Sequence, residues 1–100
     1  MITIKKISEG VYEAAFQKPA PAIDKHSGYH LKKEVGKIIN THRKIFIDLK
    51  KVNSIDEHAL KMLEQLCMMA DKKNCGLEFK NIGSDIAGKI REIRQVKTNI

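Results

Sequence analysis

Lys44-Ile45-Phe46-Ile47-Asp48-Leu49-Lys50-Lys51-Val52-Asn53-Ser54-Ile55-Asp56-Glu57-His58-Ala59-Leu60 decides how this chain of 100 residues is read. Ile45, Phe46, Ile47 and Leu49 make a nearly continuous apolar run of strand length, the pattern of a central strand covered on both faces. A short polar loop follows, then an acidic helix start that runs into the clearest amphipathic pattern of the sequence. Over about residues 56 to 72, Ala59, Leu60, Leu63, Leu66, Cys67 and Ala70 share one face, with Lys61, Gln65, Met68 and Lys72 opposite. Asn74-Cys75-Gly76 stops that helix, and Asn74 or Gly76 can take the left-handed cap. A strand that delivers a polar loop onto a helix N-terminus presents a compact docking surface. It is also a place where one anionic group can act as a switch.

On the N-terminal side, Ile2 and Ile4 alternate with Thr3 and Lys5, Ser8-Glu9-Gly10 supplies turn chemistry, and Tyr12, Ala14 and Phe16 fall on one face at period two. These segments predict a β-hairpin. Pro19 and Pro21 are expected to break the chain. Asp24 or Ser27 then caps a helix whose buried stripe is Leu31, Val35, Ile38 and Ile39, while Gly28 and Gly36 weaken it and make it lean on tertiary packing. On the C-terminal side, Leu77 and Phe79 alternate in a short strand. Gly83-Ser84-Asp85 starts a last helix on Ile86, Ile90 and Ile93, with Asp85 near its positive end and Arg91 and Arg94 near its negative end. The order is ββαβαβα: an α/β fold, one domain over residues 1–100, with a mixed sheet and helices packed on it. No internal repeat or low-complexity segment is read.

Composition narrows the function. No apolar run approaches the ~20 residues of a membrane span, and the alternating, then charged N-terminus does not read as a signal peptide. Cys67 and Cys75, with no CxxC, suggest a reducing compartment and hence cytoplasm. The net charge of +7 raises the question of nucleic acid. The basic residues are scattered, however, five aromatics offer little stacking for single strands, and no nucleic-acid-binding motif is present. A solubilising surface with affinity for an acidic partner accounts for the charge.

Residues 44 to 82 resemble the core of the STAS domain (sulfate transporter and anti-sigma factor antagonist): hydrophobic strand, Asp-Leu, short loop, Ile-Asp, helix, Gly turn, strand. The rest of the chain follows more weakly through element order, and residues 17 to 30 match poorly. The resemblance implies a bacterial-type, non-enzymatic protein–protein interaction module. In family members that antagonise anti-sigma factors, an Asp-Ser-Ser-Gly-like segment opens the second long helix, and its first Ser is the regulatory phosphorylation site. Here Ile55-Asp56-Glu57-His58-Ala59 occupies that segment. Asp56 matches the family Asp, Glu57 takes the phosphorylatable position, His58 the second Ser and Ala59 the small residue.

Glu57 has no hydroxyl, so the usual switch cannot act there. Its single charge imitates only part of a phosphoserine's −1.5 to −2. A plain structural role competes with that reading and is preferred. Ser54 and Glu57 stand at capping-box spacing, and Asp56 can itself be the N-cap. The expected partner-binding residues are Asn53, Ser54, Asp56, Glu57, His58 and Met62. Met62 and Met69, on the margin of the second helix, suit either a docking contact, with a partner or a second copy, or marginal core; marginal core is preferred. His26 and His30 have metal-compatible spacing, but no motif completes a site, so surface histidines are expected. Cys67 reads as buried and Cys75 as an exposed turn residue.

No metal, cofactor or catalytic residue is expected, because phosphate-binding, triad and paired-carboxylate motifs are all missing from the sequence. The resulting expectation is an anti-sigma-factor-antagonist-like regulator whose partner is an anti-sigma factor or kinase-like protein, with a homodimer left open. A constitutive scaffold or accessory subunit of a membrane transporter is the runner-up, and a basic nucleic-acid-binding domain the third. A small-ligand site at the strand ends is also left open.

Overall fold

The alternation of Ile2, Ile4, Tyr12, Ala14 and Phe16 resolves into an antiparallel hairpin of β1 (Ile2–Ser8) and β2 (Val11–Phe16), with Ile2 opposite Phe16 and Ile4 opposite Ala14. Gly10, at φ 75°, makes the turn between them, a conformation that glycine adopts without steric cost. The computed structural model describes residues 2–17 and 20–98, of which 20–22 and 93–98 are described by backbone alone. The chain continues through β3 (Ala20–Ile23), α1 (Lys25–Gly36), β4 (Lys44–Asp48), β5 (Val52–Ile55), α2 (Glu57–Lys72), β6 (Gly76–Lys80) and α3 (Ser84–Thr98).

The ββαβαβα order therefore stands, joined by two short strands that were not expected, β3 and β5. The main sheet has the order β1-β2-β4-β6, with β4 parallel to both its neighbours. β3 and β5 form a separate parallel pair. Pro21 lies within β3 and does not break it, because a strand bonded on one side only has no second ladder to feed.

β4 is central, but it is not covered on both faces as its apolar run suggested. Ile45 and Ile47 are fully buried and join Ala14, Leu31, Val35, Leu63, Leu66, Leu77, Ile86 and Ile90 in one core on the helical side. The opposite face carries Phe46 in a row between Glu13 of β2 and Glu78 of β6. Lys44 pairs with Glu78 and Lys80 with Glu13. The two ammonium groups lie 5.4 and 5.7 Å from the Phe46 ring centroid. Charge and cation–π contact cover this half-buried ring on the face where burial was expected.

Two other expectations are corrected. α1 ends at Gly36, so Ile38 lies in the following turn and Ile39 just beyond it, Ile39 buried and Ile38 half-buried, with the Ile38 carbonyl accepting from Arg43 at 3.0 Å. Cys75 is buried, because its amide bonds back to the Ala70 carbonyl at 2.8 Å and folds the residue under the helix end. Asn74, at φ 53°, takes the left-handed position. Cys67 is buried as read. Ile86 and Ile90 anchor α3, while Ile93 and Arg94 fall among the residues described by backbone alone.

Candidate docking site

The β3–β5 pair builds the site. Ile23 lies opposite Ile55, both buried, and each is followed by an Asp that starts a helix. Asp24 caps α1, its carboxylate accepting from the Ser27 amide at 2.9 Å. Asp56 caps α2, its carboxylate accepting from the Ala59 amide at 2.8 Å. The Asp56 amide donates to the Ile23 carbonyl at 3.0 Å and ties the two starts together. Two helix N-termini therefore stand side by side.

The two helices run in the same direction, as successive contacts show. Gly28 meets Ala59, the Lys32 ammonium donates to the Gln65 side-chain oxygen at 2.6 Å, and Gly36 faces Met69. Gly28, read from sequence as a weakness of α1, is what lets the helices approach. Between their N-terminal ends lies an open groove of about 520 Å³ lined by Asp24, Lys25, His26, Tyr29, Asp56 and Met62.

Of the sequence-expected residues, Asp56 and Met62 line this groove. Glu57 and His58 are exposed on the first turn of α2, and Asn53 and Ser54 are exposed on β5, which replaces the expected loop. The Lys89 ammonium donates to the Ile55 carbonyl at 3.1 Å, so α3 supports the same corner. The capping box forms, but at Asp24 and Ser27 and not at Ser54 and Glu57. Ser54 belongs to β5, and the cap of α2 is Asp56. Glu57 is left as an exposed first-turn charge.

The Ser27 backbone amide and hydroxyl, both bonded to the Asp24 carboxylate, hold it below its ordinary pKa of 3.8. His26 is exposed and His30 half-buried. Among the described residues no group of three His, Cys, Asp or Glu side chains is arranged to hold a metal. The groove's α1 side, with Asp24, Lys25, His26 and Tyr29, escaped the sequence reading. A signal was there: Ile23-Asp24-Lys25-His26-Ser27 matches Ile55-Asp56-Glu57-His58-Ala59 in its Ile-Asp-x-His string.

A family model described as the STAS domain matches residues 5–97. No curated protein sequence matches the chain. Among solved structures, the phosphorylated form of SpoIIAA, a Bacillus cell fate determinant, superposes with a TM-score of 0.67 at 10% identity, covering 98% of this chain and 84% of that one. The unphosphorylated form, described as an anti-sigma factor antagonist, gives 0.66 at 7% identity, covering 95% and 82%. The murine anion transporter Slc26a9, in its inward-facing state, gives 0.63 at 17% identity, covering 86% of this chain and 14% of the transporter. A structure of Mglu gives 0.69 at 10% identity over 83% of this chain, which spans only 20% of that protein's length. At these identities the likeness is one of fold.

Proposed function

The chain belongs to the STAS domain family, and we propose that within it this protein works without catalysis, as an anti-sigma-factor-antagonist-like regulator acting by protein–protein contact. Its docking surface is the first turn of α2 and the strand before it: Asn53, Ser54, Asp56, Glu57, His58 and Met62. The observation that carries this reading is the division of labour at the α2 start. Asp56 supplies the cap, so the Glu57 carboxylate is not spent on it and stands exposed beside the cap. Glu57 there occupies the position of the family's phosphorylatable serine and presents a fixed charge. The partner is an anti-sigma factor or kinase-like regulator in a bacterial cytoplasm. The likeness of fold to SpoIIAA supports that placement.

Affinity capture from the native cell, with wild type and with Glu57→Ser and His58→Ala, tests the proposal. Recovery of an anti-sigma factor whose retention changes with Glu57→Ser supports it. Unchanged recovery across the variants removes Glu57 and His58 from the surface. A second reading, an accessory STAS subunit of a membrane transporter, draws on the likeness to the Slc26a9 anion transporter. Among the described residues no helix is long and apolar enough to cross a membrane, so the membrane-spanning part would be a separate protein or segment. Recovery of transporter subunits would replace the first reading with this one.

A further inference from the structure

Further along the seam between α1 and α2 lies a second groove, of about 330 Å³, lined by Lys32, Gln65, Met68, Met69 and Lys72. Among the described residues it shares no lining side chain with the groove at the helix starts. Met68 is 58% exposed and Met69 37%, two of the large apolar side chains this chain leaves in water. Methionine packs adaptably against varied surfaces. Lys32 and Lys72 flank the pair, and among the described residues no carboxylate lines the groove. Lys32 is held by the neutral Gln65 side chain, so its charge remains available to an anionic partner. Gly36, which adds no side chain to the seam, lies under the Met69 methyl and keeps the groove open along α1.

We propose that this seam docks an acidic amphipathic helix of a partner protein, its apolar residues on Met68 and Met69 and its carboxylates on Lys32 and Lys72. The charge complementarity selects an acidic partner, in keeping with the chain's +7. The concavity between two parallel helices selects a ridge such as a helix over a flat membrane surface. This surface is separate from Glu57 and stands or falls independently of the function proposed above.

The probe is a fluorescent synthetic peptide of about 18 residues with Leu at helical spacing and Glu elsewhere. Its binding to the full chain is measured by anisotropy at low salt and located by the methyl shifts of ¹³C-labelled methionine. Controls are the same peptide with Lys for Glu, and vesicles of phosphatidylserine and phosphatidylcholine. Lys32→Gln with Lys72→Gln, and separately Met68→Gln with Met69→Gln, are each expected to weaken binding about tenfold. The charge-matched pair Lys5→Gln with Lys50→Gln, outside the groove, is expected to change it less than about twofold. The Met68 and Met69 methyls should move on peptide binding, and the Lys peptide should not bind. Equal loss in the Lys5/Lys50 control would reduce the effect to general attraction and overturn the proposal. Vesicle binding that depends on Lys32 and Lys72, with peptide binding indifferent to them, would overturn it in favour of a membrane surface.

Discussion

A Cβ placed on Gly28 would lie 2.9 Å from the Cα of Ala59 and 3.0 Å from its Cβ. The two residues set the distance between α1 and α2, and with it the geometry of the groove at their N-terminal ends. Backbone on the Ala59 side cannot yield as a flexible side chain can.

Gly28→Ala is therefore expected to destabilise the fold by about 1–2 kcal/mol. Overpacking costs about 1–3 kcal/mol, and the better helix propensity of alanine returns up to ~1 kcal/mol. Gly36→Ala meets only the Met69 methyl, at 3.4 Å, and is expected to be neutral or stabilising by up to ~1 kcal/mol. Urea unfolding of both variants checks the contrast. Equal effects would show that the glycines act through propensity and not through the helix crossing.

Leu63 is fully buried in the core, and Leu63→Ala is expected to cost about 2–5 kcal/mol. Glu57→Ser, at an exposed position whose cap is supplied by Asp56, is expected to cost no more than about 0.3–1 kcal/mol, the value of a first-turn charge. Denaturant melts give both numbers. A Glu57→Ser loss above that range would mean that Glu57 holds the structure as well as facing a partner.

Asp24 titrates below its ordinary 3.8 because Ser27 donates to its charged form. A lowered folded pKa means that the cap's contribution is fully present above 3.8 and is lost as pH falls through the folded value. Ser27→Ala removes the hydroxyl but keeps the backbone amide, and should move the Asp24 pKa part of the way up toward 3.8, read from the carboxyl carbon shift in an NMR titration. It should also flatten the acid side of the stability curve in that window. An Asp24 pKa unmoved by Ser27→Ala would leave the shift to the Ser27 backbone amide, which the variant keeps.

Binding to duplex or single-stranded nucleic acid should be weak and gone by ~150 mM salt, since scattered lysines supply only counterion-release affinity. Submicromolar binding that survives ~150 mM salt would mean a dedicated site and would reorder the functional readings.

The sequence by itself determined the elements with strong local periodicity. The hairpin of Ile2, Ile4, Tyr12, Ala14 and Phe16, the apolar β4 run and the amphipathic α2 all follow from side-chain alternation, which is a property of neighbouring residues. The same local reading placed Glu57 at the start of α2 and gave Asp56 as one of two caps.

Only the tertiary structure decided what each pattern faces. Phe46 sits in an apolar run that reads as doubly buried, yet its side chain lies on a face covered by Lys44 and Lys80. Periodicity reports which residues share a face but not whether a layer arrives to cover it. β3 and β5 are four residues each, one containing Pro21, and neither carries a strand signal alone. Their pairing is non-local, gained when Ile23 and Ile55 are buried together. That pairing brings Asp24, His26 and Tyr29 to the same groove as Asp56 and Met62, and it turns Gly28 from a flaw in one helix into the contact point of two.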